Sequence, residues 1–194
     1  MSIFGDISIF AIECQVSRLL EERVYANFQI WVGGKSIGDY EDEIMLYSCM
    51  SYLSDFLKFT GNRYEPDLDE KSKEEVFQII FDSVVYTLPV GKNWNEIFTN
   101  YNPSNEDAQP PYEDIQRRFH LDSFGMSSFS DKFNLILVET KTGKQRLIWR
   151  AISDMKVHEQ ILEPGSFEAV ANQFLLWAES QISLEADSCD RNPS

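Results

Sequence analysis

Residues 24–38 read VYANFQIWVGGKSIG and combine an alternating apolar pattern with a glycine pair. The apolar residues occupy every second position from Val24 to Val32, with tyrosine, asparagine, glutamine and tryptophan between them. A period of two predicts a half-buried strand. The glycine pair that follows predicts a tight hairpin turn.

The same stretch contains GGKS, the four letters that end a phosphate-binding P-loop. The full pattern requires a glycine at position 29, which is occupied by Gln29, and a helix directly after the Lys35-Ser36 pair. The next helical pattern begins only near Glu43. The sequence therefore predicts a hairpin turn and no nucleotide site.

Two helical patterns follow this turn. The first is an apolar stripe at helical spacing, formed by Leu46, Cys49, Met50, Leu53, Phe56 and Leu57. The second begins at a capping box in which Ser72 and Glu75 satisfy each other's backbone donors. Pro89 stops this second helix after about Tyr86.

The remaining elements are strands and one long helix. Residues 7–17 alternate and are expected to pair with 24–32. Residues 133–151 form a second hairpin around a turn that contains Gly143, and a short strand follows at 157–162. The last helix begins after Pro164-Gly165 and presents a mainly apolar face.

Strands, two helices, a hairpin, a strand and a final helix predict an α+β fold. We expect an antiparallel sheet of about five to six strands built from two hairpins, with three main helices packed on one face. Residues 1–182 are predicted to form a single domain and 183–194 a flexible polar tail. Residues 91–130 have a weak pattern, and both a partner-binding loop around 100–114 and a variable insertion stay open for them.

The chain is strongly acidic, with 32 acidic and 17 basic residues and a formal net charge of −15. Such a chain repels nucleic acids and anionic membranes, whereas a basic partner is attracted. Residues 39–75 contain eleven acidic and four basic residues. They are either a solvated surface or a partner-binding surface, for which the expected residues are Asp39, Glu41, Asp42, Glu43, Asp67, Asp69 and Glu70.

Three widely spaced cysteines indicate a reducing compartment. No signal peptide and no apolar run of membrane-spanning length is visible, so the expected location is the cytoplasm. The two histidines, His120 and His158, lie in no zinc-binding spacing. An EF-hand loop that started at Asp67 would need glycine at position 72, which is Ser72. The sequence predicts no catalytic, cofactor-binding or metal-binding residue and therefore no enzyme.

Four stretches carry a family resemblance: IFGDISIFAIECQV at 3–16, FQIWVGGKSIGD at 28–39, RLIWR at 146–150 after KTGKQ, and ILEPGSFEAV at 161–170. Together they resemble the bacterial immunity protein 42 family, over most of residues 1–180. These motifs are turns and strands, not a chemical signature.

The resemblance implies a cytosolic protein that binds and blocks a cognate toxin domain of a polymorphic-toxin or contact-dependent growth-inhibition system. The acidic charge fits this role, because many delivered toxins are nucleases with basic grooves that an acidic inhibitor can cover. Two alternatives stay open: a hydrolase with a carboxylate or metal site, and an acidic adaptor or nucleic-acid mimic. The oligomeric state is also open, since an exposed aromatic such as Trp31 could serve a dimer or a partner.

Overall fold

A computed structural model of the chain describes residues 1–21, 23–85, 112–121, 124, 127–153 and 156–190. Its strands form two antiparallel sheets of five and three strands. Sheet A contains β1 (Ser2–Asp6), β2 (Phe10–Leu20), β3 (Arg23–Val32), β4 (Lys35–Ile37) and β5 (Glu43–Met45). Its first three strands are neighbours in chain order, and both β4 and β5 pair with β3.

The start of β2 differs from the predicted strand at 7–17, because residues 7–9 form a turn. The Asp6 carboxylate accepts hydrogen bonds from both the backbone N–H and the hydroxyl of Ser8, and the Ile9 N–H donates to the Asp6 carbonyl. These local bonds close the β1–β2 connection, so that β2 begins at Phe10 and continues to Leu20.

The predicted hairpin turn after β3 is confirmed. Val32 pairs with Lys35, which leaves only Gly33 and Gly34 in the turn. Both glycines have positive φ, at 57° and 77°. Positive φ at both central residues defines the type I′ turn, in which glycine avoids the steric cost of a side chain.

The helices of the described residues are α1 (Leu46–Leu57), α2 (Pro66–Asp69), α3 (Lys73–Val85), α4 (Tyr112–Phe119), α5 (Ser127–Lys132) and α6 (Ser166–Asp190). The stripe predicted on α1 faces the core, and its residues Leu46, Cys49, Leu53 and Phe56 are buried. The capping box is also confirmed, since the Ser72 N–H donates to the Glu75 carboxylate and the Glu75 N–H to the Ser72 hydroxyl.

Sheet B contains β6 (Phe133–Glu139), β7 (Gln145–Ala151) and β8 (Val157–Leu162), in that order. It lies between two hydrophobic cores. One face contributes Leu135, Leu137, Leu147 and Trp149 to a core shared with sheet A, α1 and α6. The opposite face contributes Ile136, Val138 and Ile148 to a second core with α3 and α4.

The α+β class is confirmed, but the predicted single sheet of five to six strands is wrong. The apolar run at 135–138 in β6 explains the difference, because it is buried on both faces and therefore separates two cores. Helices α1 and α6 pack on the inner face of sheet A, whereas α3 and α4 pack near sheet B.

Candidate partner-binding surfaces

The acidic residues predicted at 67–70 border a groove of about 480 Å³. It lies between α2, the start of α3 and the turn between β6 and β7. Pro66 occupies the first turn of α2, where its missing N–H leaves no donor unsatisfied. The groove is lined by Tyr64, Pro66, Asp67, Asp69, Glu70, Lys71, Glu75 and Lys141.

Some carboxylates of this groove already accept hydrogen bonds from their own chain, and others do not form ion pairs with it. Asp69 accepts a hydrogen bond from the Lys141 backbone N–H at 3.1 Å, and Glu75 belongs to the capping box. Asp67 and Glu70 are exposed, and neither takes part in an ion pair of the described residues. These two carboxylates are therefore available to an external cation.

The second predicted group, at 39–43, is mostly neutralised within the chain. Lys132 lies 2.8 Å from Asp39 and 3.9 Å from Asp42, and Arg18 lies 2.7 Å from Glu43. The hydrogen bond from Lys132 lowers the pKa of Asp39, and the same bond raises the pKa of Lys132. Glu41 is exposed and enters no ion pair within the described ranges.

The structure places these two acidic groups at opposite ends of one strand. Asp39 contacts Lys132, which directly precedes β6, whereas Asp69 contacts Lys141, which lies just beyond its end. Seven residues of antiparallel strand span roughly 20 Å. The run of acidic sequence from 39 to 75 is thus two separate surfaces.

A further polar surface, which the sequence did not single out, is the outward face of sheet A. Across this face Glu13 pairs with Gln29 and Ala11 with Trp31. Gln29 Nε2 and Trp31 Nε1 donate to Glu13 Oε2 at 2.6 and 2.7 Å. The alternating pattern of β3 predicted which of its residues face outward, but only the strand register brings Glu13 between them.

The structure also contains a buried cluster of charged side chains at the junction of the two cores. Its members are Arg63, Glu65, Arg118 and Glu139, together with the nearly buried Glu168. Their charges and hydrogen bonds are directed at one another and at backbone carbonyls. The cluster is therefore structural. Its members are far apart in the chain and follow no regular spacing, so the sequence alone did not indicate it.

Neither histidine is placed like a catalytic base. His120 is buried, and its backbone forms an isolated antiparallel β-bridge with Ile136 of β6. The ring of His158 stacks on that of Trp149, with ring centroids 5.3 Å apart. In the part of the chain that the structure describes, no group of three or more His, Cys, Asp or Glu could hold a metal ion. Within the same ranges, no helix has both the length and the apolar content to cross a membrane.

The loop expected at 100–114 as a partner-binding candidate lies mostly outside the described residues, which resume with α4 at Tyr112. Part of the weakly patterned stretch at 91–130 is helical, because α4 and the start of α5 fall within it. Both helices contribute to the cores, through Phe119 of α4 and Phe129 of α5.

Comparison with known proteins gives two findings. A family model described as immunity protein 42 matches residues 1–177. Among solved structures, the chain is similar to CdiI from Burkholderia dolosa AUO158, with a TM-score of 0.63 and 16% sequence identity over 90% of this chain and 99% of that chain. At this identity the likeness shows a shared fold. No curated protein gives a significant match.

Proposed function

Because the chain belongs to the immunity protein 42 family, we propose that it binds and neutralises the cognate toxin domain of a polymorphic-toxin or contact-dependent growth-inhibition system. It acts in the cytoplasm as a stoichiometric inhibitor and not as an enzyme. It uses no cofactor.

The observation that supports a particular contact surface for the toxin is the groove beside α2. Asp67 and Glu70 stand exposed at this groove without an ion-pair partner among the described residues. Carboxylates that are not neutralised by their own chain attract the cations of a partner. Asp39, Glu41, Asp42 and Glu43 form a second acidic contact region, in which Glu41 is the exposed and unpaired member.

The partner that suits these surfaces has a basic face. The net charge of −15 favours approach of a basic protein and disfavours nucleic acid and anionic lipid. Nuclease toxins have this property, because they bind a polyanionic substrate. Charge complementarity of this kind raises association rates to about 10⁸ M⁻¹s⁻¹ or more at low salt.

The function itself is tested by co-expressing this chain with the toxin domain encoded beside it and measuring growth of the cells. We expect growth to be restored and a one-to-one complex to form between the purified proteins. A toxin domain that still kills the cells and does not bind the chain would contradict the proposal.

The contribution of the groove is tested by reversing Asp67, Asp69 and Glu70 to lysine and measuring association by stopped-flow mixing at two salt concentrations. We expect slower association and a weaker salt dependence, because charges at the rim of an interface act mainly on the rate of encounter. If one of these carboxylates is instead fully desolvated in the complex, the dissociation rate rises and binding weakens by about 2–5 kcal/mol.

A matched control reverses three exposed carboxylates elsewhere, Glu21, Glu163 and Glu179. It changes the net charge by the same amount and alters no residue that lines the groove, although Glu163→Lys also removes the ion pair between Glu163 and Lys144. If both triple variants slow association equally, only the overall charge matters and the groove is not a contact surface. If neither variant changes either rate, the acidic residues form a solvated surface.

A further inference from the structure

The outward face of sheet A contains a buried carboxylate that forms no ion pair within the part of the chain that the structure describes. Glu13 is only 7% exposed, although it lies on the side of β2 opposite the hydrophobic core. Two donors, Gln29 Nε2 and Trp31 Nε1, hold its Oε2 atom. Glu13 is absent from the ion pairs formed by the described residues.

Arg18, a basic side chain on the same face, is already engaged. Arg18 lies 2.7 Å from the Glu43 carboxylate and 4.9 Å above the ring of Tyr25. It follows Glu13 by five residues along β2, a distance of about 15 Å in a strand. Arg18 therefore pairs with Glu43 and not with Glu13, which has no ion-pair partner among the described residues.

Burial of a carboxylate without a cation is unfavourable, because removal from water is compensated only when an opposite charge or enough hydrogen bonds replace the solvent. Two neutral donors hold Glu13 in a fixed orientation but do not neutralise it. An arginine or lysine from another protein can supply the missing charge. The indole ring of Trp31 beside the carboxylate can support the same cation through its π face.

The surroundings of Glu13 suit a protein partner. The face includes the half-buried aromatic residues Tyr25, Trp31 and Tyr40, and the exposed Ile3 lies opposite Glu13 on β1. Tyrosine, tryptophan and arginine dominate the energetics of protein interfaces. Helices α1 and α6 pack against sheet A through its core side, so neither of these two helices covers this face.

We infer that the outward face of sheet A is the docking surface for the cognate toxin domain, and that Glu13 receives an arginine or lysine side chain of that domain. This inference rests on the proposed function. The acidic segment at 39–43 borders the same face, since Glu43 pairs with Asn27 across β3 and β5 and the Asn27 side chain donates to the Tyr40 carbonyl. The groove near Asp67 then affects mainly the association rate, whereas Glu13 affects mainly the dissociation rate of the complex.

The test is Glu13→Gln, measured by surface plasmon resonance against the purified toxin domain encoded beside this chain. A glutamine oxygen can still accept from Gln29 and Trp31, so the change removes charge with little change of shape. We expect the dissociation rate to rise at least tenfold, with a smaller effect on association, as is typical for a desolvated charge pair. The matched control is Glu179→Gln on the exposed side of α6, which should bind like wild type.

A second variant keeps the test independent of any folding defect. Gln15 is exposed and lies two residues after Glu13 on the same face, so Gln15→Lys places a cation where the partner's cation would bind. We expect it to weaken binding at least tenfold, whereas Gln173→Lys, an exposed site on α6, should have no effect. Urea denaturation should show unchanged midpoints for both lysine variants.

The outcomes separate the two proposals. If wild type binds the toxin domain but the Glu13 and Gln15 variants bind equally well, the docking surface proposed here is wrong and the proposed function stands. If wild type does not bind, both fail. If light scattering shows that wild type is a dimer and Gln15→Lys makes it a monomer, the face is a contact between two copies of this chain and the inference is overturned.

Discussion

Nη1 of Arg63 lies 3.7 Å from Oε1 of Glu139, and both side chains are buried. The same nitrogen lies 3.8 Å from Glu168 on α6, while Nε donates to the Arg118 carbonyl at 2.8 Å. Glu139 in turn accepts the backbone N–H groups of Gly61 and Arg63. The pair therefore links the segment after α1 to sheet B. The other contacts of Arg63 link this segment to α4 and α6. Burial lowers the pKa of Arg63 to about 10, which leaves it charged at neutral pH.

Arg63→Ala should destabilise the fold strongly, because it leaves Glu139 and Glu168 buried without their cation. Removing one partner of a buried ion pair costs about 3–5 kcal/mol. Urea denaturation followed by circular dichroism measures the change in unfolding free energy. Lys58→Ala is the control, because Lys58 pairs with Asp55 on the exposed surface. Equal denaturation midpoints for the two variants would mean that the buried pair contributes no more than a surface pair.

Truncation of a buried side chain on α1 or α6 should destabilise the fold much more than truncation of an exposed side chain on the same helices. Leu53 on α1 and Phe174 on α6 are fully buried. Replacing either with alanine should reduce the unfolding free energy by about 2–5 kcal/mol, because the apolar contacts are lost and a cavity remains. Leu176→Ala serves as the control, since Leu176 is 69% exposed. A large loss of stability in the control would show that this helix face is covered.

The capping box at the start of α3 should make the stability depend on pH. Hydrogen bonds from Ser72 lower the pKa of Glu75 below its ordinary value of 4.5. A carboxyl group with a lowered pKa in the folded state stabilises the fold above its unfolded pKa, and this contribution disappears as the pH falls through the folded value. The difference in unfolding free energy between wild type and Glu75→Gln should therefore shrink between pH 6 and pH 3.

Ser72→Ala tests the same cap without changing a titratable group. Loss of the hydroxyl removes the acceptor for the Glu75 N–H and should reduce the unfolding free energy by about 1 kcal/mol, the usual effect of losing a serine cap. Thermal denaturation measures it. A variant as stable as wild type at neutral pH would mean that water replaces the cap without loss.

The glycine turn after β3 should not bind nucleotides. Lys35 is exposed on β4 and follows a two-residue turn between strands, whereas a P-loop leads into a helix. Isothermal titration calorimetry should show no binding of ATP or GTP to wild type, and Lys35→Ala should still neutralise the toxin. Micromolar nucleotide affinity that disappears in Lys35→Ala would contradict this interpretation of the turn.

Local patterns in the sequence determined most of the elements. The apolar period of two in β3, the stripe on α1 and the capping box before α3 each depend on residues close together in the chain, and each predicted element is present. The acidic excess was equally visible, because net charge is a sum that needs no coordinates. The family resemblance depended on the same local turns and strands.

Tertiary structure alone decided how these elements meet. Phe133–Glu139 was recognisable as a strand, but its burial on both faces depends on two cores whose other members are distant in the chain. The acidic residues at 39–43 and 67–70 belong to one stretch of sequence, yet opposite ends of β6 hold them apart. Glu13 came between Gln29 and Trp31 only through the register of β2 against β3. Hydrophobic periodicity reports which face of an element is buried, whereas the neighbours of a charge are set by long-range packing that one sequence does not encode locally.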